Sequence, residues 1–140
     1  MMKRMKNYNL VYVGAVLIAG IFLMSAVSNL APKPWPVPDK YKTMKNAKAG
    51  VKDTEGIGKA LFDQHCKSCH GAKGAGDGKK AAELNTEIRN FATADFQKQT
   101  DGEVYYKSFV GRDEMPNFEK KITSESDRWL VVNYLRTMKK

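Results

Sequence analysis

Residues 66–78, Cys66-Lys67-Ser68-Cys69-His70-Gly71-Ala72-Lys73-Gly74-Ala75-Gly76-Asp77-Gly78, decide how this chain is read. They hold the chain's only two cysteines and one of its two histidines. A zinc site built from Cys66, Cys69, His70 and His65 would crowd four ligands into six residues and strain a tetrahedron, and no second C-x-x-C is present. A thioredoxin-like dithiol needs a strand–helix–strand context that the flanks lack. A Cys66–Cys69 disulfide would close a loop too short to stabilise much. What fits is C-x-x-C-H as the attachment signature of one covalent haem c. Each thiol adds to one vinyl group of the porphyrin, and two intervening residues match the vinyl spacing. The adjacent His70 then lies under the ring, where its imidazole can take the proximal position on iron. The glycines that follow let the backbone run close to the porphyrin edge.

Moving outward from the motif, the pattern is helical. Ile57, Ala60 and Leu61 fall at i, i+3, i+4 beside Phe62, so Glu55 to about His65 reads as a short amphipathic helix. Residues 79–96 fit helix or extended chain equally. Thr100-Asp101-Gly102-Glu103 has the form of a capping box, opening a helix through Val104, Tyr105 and Phe109 that stops at Gly111. Residues 112–122 carry Pro116 and little period, hence a loop. Thr123 or Ser124 caps a last helix whose Leu130, Val131, Tyr134, Leu135 and Met138 form one apolar stripe. No segment reads as a strand, so residues 54–140 form an all-α domain.

The N-terminal third differs. Residues 1–9 are a basic leader, and Leu10 to Leu30 runs without a charge. As a helix it would rise roughly 31 Å, about one hydrocarbon thickness. Residues 10–31 therefore read as a single-pass anchor, with an uncleaved or cleaved signal peptide as the alternative. Pro32, Pro34, Pro36 and Pro38 alternate, which favours polyproline II, and residues 32–53 read as a Pro/Lys-rich spacer reaching at most roughly 75 Å. Lys33, Lys40, Lys42, Lys45 and Lys48 outnumber Lys3, Arg4 and Lys6, so the lysine count alone argues against an inside N-terminus. Covalent haem argues the other way, because in bacteria it is attached outside the cytoplasmic membrane. That places residues 1–9 in the cytoplasm and the haem domain in the periplasm.

The net charge of +9 invites a nucleic-acid reading, yet residues 1–53 carry +7 of it and residues 54–140 only +2. No basic face for a phosphate backbone follows, and nucleic acid is excluded as a partner.

A sixth iron ligand separates a carrier from a catalyst. His65 adjoins Cys66 on the same side of the ring and reads as a surface helix residue. Met1, Met2, Met5 and Met24 lie in or before the apolar segment, Met44 in the spacer, and Met138 in the last helix, where packing explains it. Met115 remains, in a loop stiffened by Pro116; its alternative is gap-filling in the core.

These features together resemble a monohaem class I cytochrome c. The resemblance rests on C-x-x-C-H-G, the CHGxxGxGDG continuation of a bacterial membrane-associated branch, the Met115-Pro116-Asn117-Phe118 loop, and the last helix Trp129 to Arg136. It covers about residues 54–140 and extends to the approach segment Pro34–Tyr41. It implies a class I domain preceded by one transmembrane helix and a Pro-rich linker. It also implies thioethers at Cys66 and Cys69, His70 proximal and Met115 distal to iron. The first and last helices would cross with Gly58 and Phe62 against Val131 and Tyr134. One departure stands out: the family often has a proline whose carbonyl accepts from the proximal imidazole, and no proline lies between His70 and Met115. The implied role is electron transfer without bond chemistry, between membrane oxidoreductases such as a quinol-oxidising complex and a terminal oxidase. Lys67 and Lys73 flank the edge where such partners would dock. Two other readings remain: a haem sensor or peroxidase-like domain with a labile sixth ligand, and a fixed subunit of a membrane complex.

Overall fold

The first long helix begins where a carboxylate can receive its open N–H groups. Asp53 accepts from the backbone N–H of Ile57 at 3.0 Å and Gly58 at 2.7 Å, satisfying two of the four donors a helix start leaves unpaired. The helix therefore spans Ile57–His65, two residues later than the periodicity alone suggests. The computed structural model describes residues 34–139. The chain divides into two units, 1–34 and 35–140, and all but the first described residue belong to the second.

In chain order that unit contains α1 (Asp39–Lys42), α2 (Ile57–His65), α3 (Lys67–His70), a 3-10 turn at Ala81–Glu83, α4 (Ala94–Gln97), α5 (Asp101–Tyr105) and α6 (Glu125–Thr137). Among the described residues there is no strand, only an isolated bridge between Arg112 and Met115. The all-α reading holds there. Thr100 and Glu103 form the expected capping box, with reciprocal bonds of 3.2 and 2.7 Å. Ser124, not Thr123, caps α6, accepting from the Asp127 N–H. After Tyr105 the helix widens into one π turn, Tyr106–Val110, which ends at Gly111. The ambiguous stretch 79–96 resolves into two short turns of helix joined by irregular chain with bends and a turn.

The largest helix–helix contact is between α2 and α6. Gly58 makes it possible. A Cβ built there would lie 2.2 Å from the Leu130 carbonyl oxygen, so any side chain would push the helices apart. The expected crossing is present, with Gly58 against the Leu130 backbone instead of Val131 and Phe62 against Tyr134 at 5.3 Å between ring centroids. Phe62 and Trp129 are fully buried, each contributing roughly 1.5–3 kcal/mol or more of transfer free energy. Tyr105 lies against Trp129, centroids 4.4 Å apart, and its hydroxyl accepts from Arg128 Nε at 2.6 Å.

The spacer reading of residues 32–53 needs correcting from Trp35 onward. Pro38 does have polyproline II angles, φ −58° and ψ 144°. But Val37 is buried, Tyr41 and Met44 pack on the core, and Tyr41 meets Tyr106 at 4.7 Å. Asn46 donates to Asp101 at 2.8 Å and to Asn133 at 2.9 Å, while Asn133 donates to the Lys48 carbonyl. Asp101 is also held by Arg136. Buried side chains and a shared polar network thus weld this segment to α5 and α6, and the domain begins near residue 35 instead of 54. The proposed cytoplasmic N-terminus, 1–9, and anchor, 10–31, lie outside the described residues. Among the described residues no helix is long and apolar enough to cross a membrane.

Candidate haem site

Helix α2 hands directly over to the motif. Cys66 closes α2 and opens α3, and the motif continues as one helical turn, with His70 N–H donating to the Cys66 carbonyl at 2.9 Å. In a helical turn, positions i, i+3 and i+4 share a face. Cys66, Cys69 and His70 therefore project together, which is the physical content of the C-x-x-C-H spacing. Cys66 and Cys69 form no disulfide with each other.

The glycine-rich continuation folds back over this turn. Gly76 N–H donates to the His70 carbonyl, Gly78 to Cys69 and Lys80 to Ser68, at 2.9, 3.1 and 2.9 Å. At Gly78 a Cβ would lie 2.4–2.5 Å from the backbone of Ser68 and Cys69. Only glycine allows the loop to clasp the motif this closely.

Across from the motif runs the Met115 loop. Arg112 and Met115 exchange both backbone bonds, at 2.8 and 2.9 Å, closing a two-residue turn around Asp113 and Glu114. Asp113 takes the left-handed conformation, φ 51°. The Glu114 carboxylate accepts from the N–H of Thr86 at 2.8 Å and of Asn85 at 3.1 Å. Those bonds hold its carboxyl below the usual carboxylate range. Phe118 N–H donates to the Phe109 carbonyl at 2.9 Å, anchoring the loop's far end.

Motif and loop meet at one apolar cavity of about 10 Å³, lined by Cys66, His70 and Met115 together with Phe62, Phe91, Ser108, Phe109, Phe118, Val131 and Leu135. The π turn presents the adjacent Ser108 and Phe109 to it. Of the residues singled out in sequence, Cys66, His70 and Met115 line this cavity, and Cys69 adjoins it on α3. His65 does not line it; the ring is half-buried against Phe118 at 5.8 Å, correcting its reading as a surface residue. Met138 packs on the core near Gly74 and Phe91, as expected. Met44 also packs on the core, which the spacer reading missed. Phe91, whose ring stacks on His70, is a lining residue that no local pattern in the sequence singles out.

The donor set suits a haem. Burial pushes the Cys66 thiol up to about 12 and the His70 imidazole down to about 4. The thiol is thus protonated and the imidazole neutral at pH 7, the form that can ligate iron. His70 Nδ1 is buried with no hydrogen-bond partner. A porphyrin would meet an apolar lining between a histidine and a thioether, with two thiols at one edge.

Outside the cavity, Lys67, Lys73, Lys79 and Lys80 are exposed around the motif. Lys67 reaches Asp63 at 3.8 Å.

Comparison with known proteins agrees with this geometry. The sequence matches the family described as Cytochrome c over residues 57–139. No curated protein matches it. Among solved structures it is similar to one titled KustC0563 c-type cytochrome, at 34% identity and a TM-score of 0.50, covering 59% of this chain and 98% of that one. The match takes in both the clasped turn and the Met115 loop, and the chain therefore belongs to the cytochrome c family of electron-transfer proteins, which bind haem c covalently through paired cysteines.

Proposed function

We propose that this chain is a class I, single-haem electron carrier in which Cys66 and Cys69 form the two thioethers, His70 binds iron on the proximal side and Met115 on the distal side. The observation that supports this reading is that Cys66, His70 and Met115 line the same apolar cavity although Met115 lies 45 residues beyond His70 in sequence. When bound, haem supplies reversible one-electron exchange at iron. The chain's part is to hold a histidine and a methionine on opposite faces, leaving no position for a substrate. A thioether ligand favours reduced iron and raises the potential. The clasped backbone around the motif and the pinned Met115 loop limit reorganisation when the charge changes.

The apolar stretch 10–31 supports a single-pass anchor, and covalent haem supports a periplasmic location of the domain. Partners would then be membrane oxidoreductases, a quinol-oxidising complex as donor and a terminal oxidase or similar acceptor, met through a small transient interface. The exposed lysines around the motif support acidic docking surfaces on those partners. The correction at Trp35 shortens the reach of such a tether, because only the residues before it can span a gap.

The test is exposure of dithionite-reduced protein, purified from membranes at neutral pH, to carbon monoxide, alongside mixing with a soluble redox mediator. The carrier reading predicts an unchanged reduced spectrum under carbon monoxide and fast, complete exchange with the mediator. Ready formation of a carbon monoxide complex would overturn it in favour of a sensor or peroxidase-like site.

A further inference from the structure

The Met115 loop is gripped from the N-terminal side by a residue far away in sequence. The Arg112 guanidinium lies over the Trp35 ring, 4.6 Å from its centroid. Arg112 is also the backbone partner of Met115, through bonds of 2.8 and 2.9 Å that define the turn. Trp35 is half-buried and opens the folded body, two residues before the buried Val37. Glu114 pins the same turn from the other direction, through Asn85 and Thr86. Within the turn itself, Arg112 Nε lies 3.3 Å from Asp113 Oδ2. The indole and Glu114 contacts add holds on the turn from outside it.

We propose that Trp35 is a positioning residue for the distal iron ligand: its indole fixes Arg112, and Arg112 fixes Met115. The inference rests on the reading of Met115 as that ligand. It makes the approach segment part of the machinery that keeps the sixth position closed, so that loosening residues 35–37 makes the iron accessible to outside ligands without touching any iron-binding side chain.

Full-length haem-loaded protein would be titrated with imidazole in the ferric state, as wild type, Trp35→Ala, Trp35→Phe, Arg112→Gln and the Trp35→Ala/Arg112→Gln double variant. Trp35→Ala should bind imidazole about 5-fold more tightly, the size expected for losing an exposed cation–π contact. Trp35→Phe should restore part of the barrier, since a phenyl ring is the weaker partner. Because Trp35 acts through Arg112, the double variant should match Arg112→Gln alone. Affinity within twofold of wild type in Trp35→Ala, or additive effects in the double variant, would overturn the proposal. Arg112→Gln leaves the 35–37 segment intact and keeps the test decisive should Trp35→Ala fail to accumulate: an unchanged imidazole affinity in Arg112→Gln would overturn it by itself. Met115→Ala separates the two claims. If wild type binds imidazole as tightly as Met115→Ala does, the ligand assignment fails, whatever Trp35 does.

Discussion

His70 and Phe91 are stacked, ring centroids 4.6 Å apart and planes 26° from parallel, and His70 Nδ1 has no hydrogen-bond acceptor. Aromatic packing and burial hold this ring, and no proline lies between His70 and Met115 to offer a carbonyl. If His70 ligates iron as proposed, it would do so without the second-nitrogen acceptor that metal-ligating histidines usually have.

The acid limit of the site follows from that burial. An ordinary histidine titrates near 6.5, whereas burial lowers His70 to about 4. A depressed folded-state value means stability that is complete above pH 6.5 and is lost as pH falls through 4. Acid titration of the ferric spectrum should therefore show low-spin haem persisting well below pH 6.5, since burial and the iron bond both oppose protonation of His70. Loss of the low-spin spectrum between pH 6 and 7 would show that His70 is not shielded in this way.

Gly58→Ala should destabilise the protein by about 3 kcal/mol, at the upper end of overpacking costs, because the added methyl meets the Leu130 carbonyl. Urea denaturation of the haem-loaded protein measures it. The optical spectrum should be unchanged at low urea, since Gly58 does not line the cavity. A shift in midpoint worth under about 0.5 kcal/mol would mean that the helices cross with more room than this.

Asp113 occupies a left-handed position that glycine adopts freely. Asp113→Gly should leave stability within about 0.5 kcal/mol of wild type, while Asp113→Val should cost about 1–2 kcal/mol and also loosen the Met115 turn, seen as tighter imidazole binding. Equal tolerance of both substitutions would contradict the turn geometry.

Residues 40–53 contain Lys40, Lys42, Lys45, Lys48 and Lys52, five trypsin sites that a flexible spacer would expose. Because Tyr41, Met44, Asn46 and Lys48 are tied to α5 and α6, limited trypsin digestion should spare this stretch and yield a resistant fragment that retains Trp35 or begins close to it. Rapid cleavage between residues 40 and 53, read by mass spectrometry of the haem-bearing fragment, would restore the spacer reading.

Much of this architecture was legible in the sequence because it depends on local signals. The C-x-x-C-H spacing is a single helical turn, the Thr100–Glu103 box is a pair of bonds three residues apart, and the α6 stripe has a 3.6-residue period. Gly58 and Phe62 were placed at the helix crossing by the family resemblance, with the facing residue off by one. The docked segment was missed for a different reason. Val37, Tyr41 and Met44 fall at i, i+4 and i+7, a helical apolar spacing, but flanking prolines and lysines mask it, and only Asp39–Lys42 forms helix. The partners of Asn46 lie 55 and 87 residues away, and no short-range pattern reports such bonds. The Phe91–His70 stack and the Trp35–Arg112 contact are equally non-local. Met115 was singled out because the other methionines had other readings, of which Met44's as spacer did not hold; it lines the cavity with Cys66 and His70.

The most direct test of the central claim compares optical spectra of wild-type and Met115→Ala protein, ferric and dithionite-reduced, after purification from membranes. Histidine–methionine ligation predicts sharp reduced bands in the wild type together with a weak ferric band at the far-red edge. That band should vanish in the variant while the haem stays covalently attached at Cys66 and Cys69. A variant spectrum indistinguishable from wild type would contradict the assignment of Met115 and, with it, the closed sixth position on which the electron-carrier reading depends.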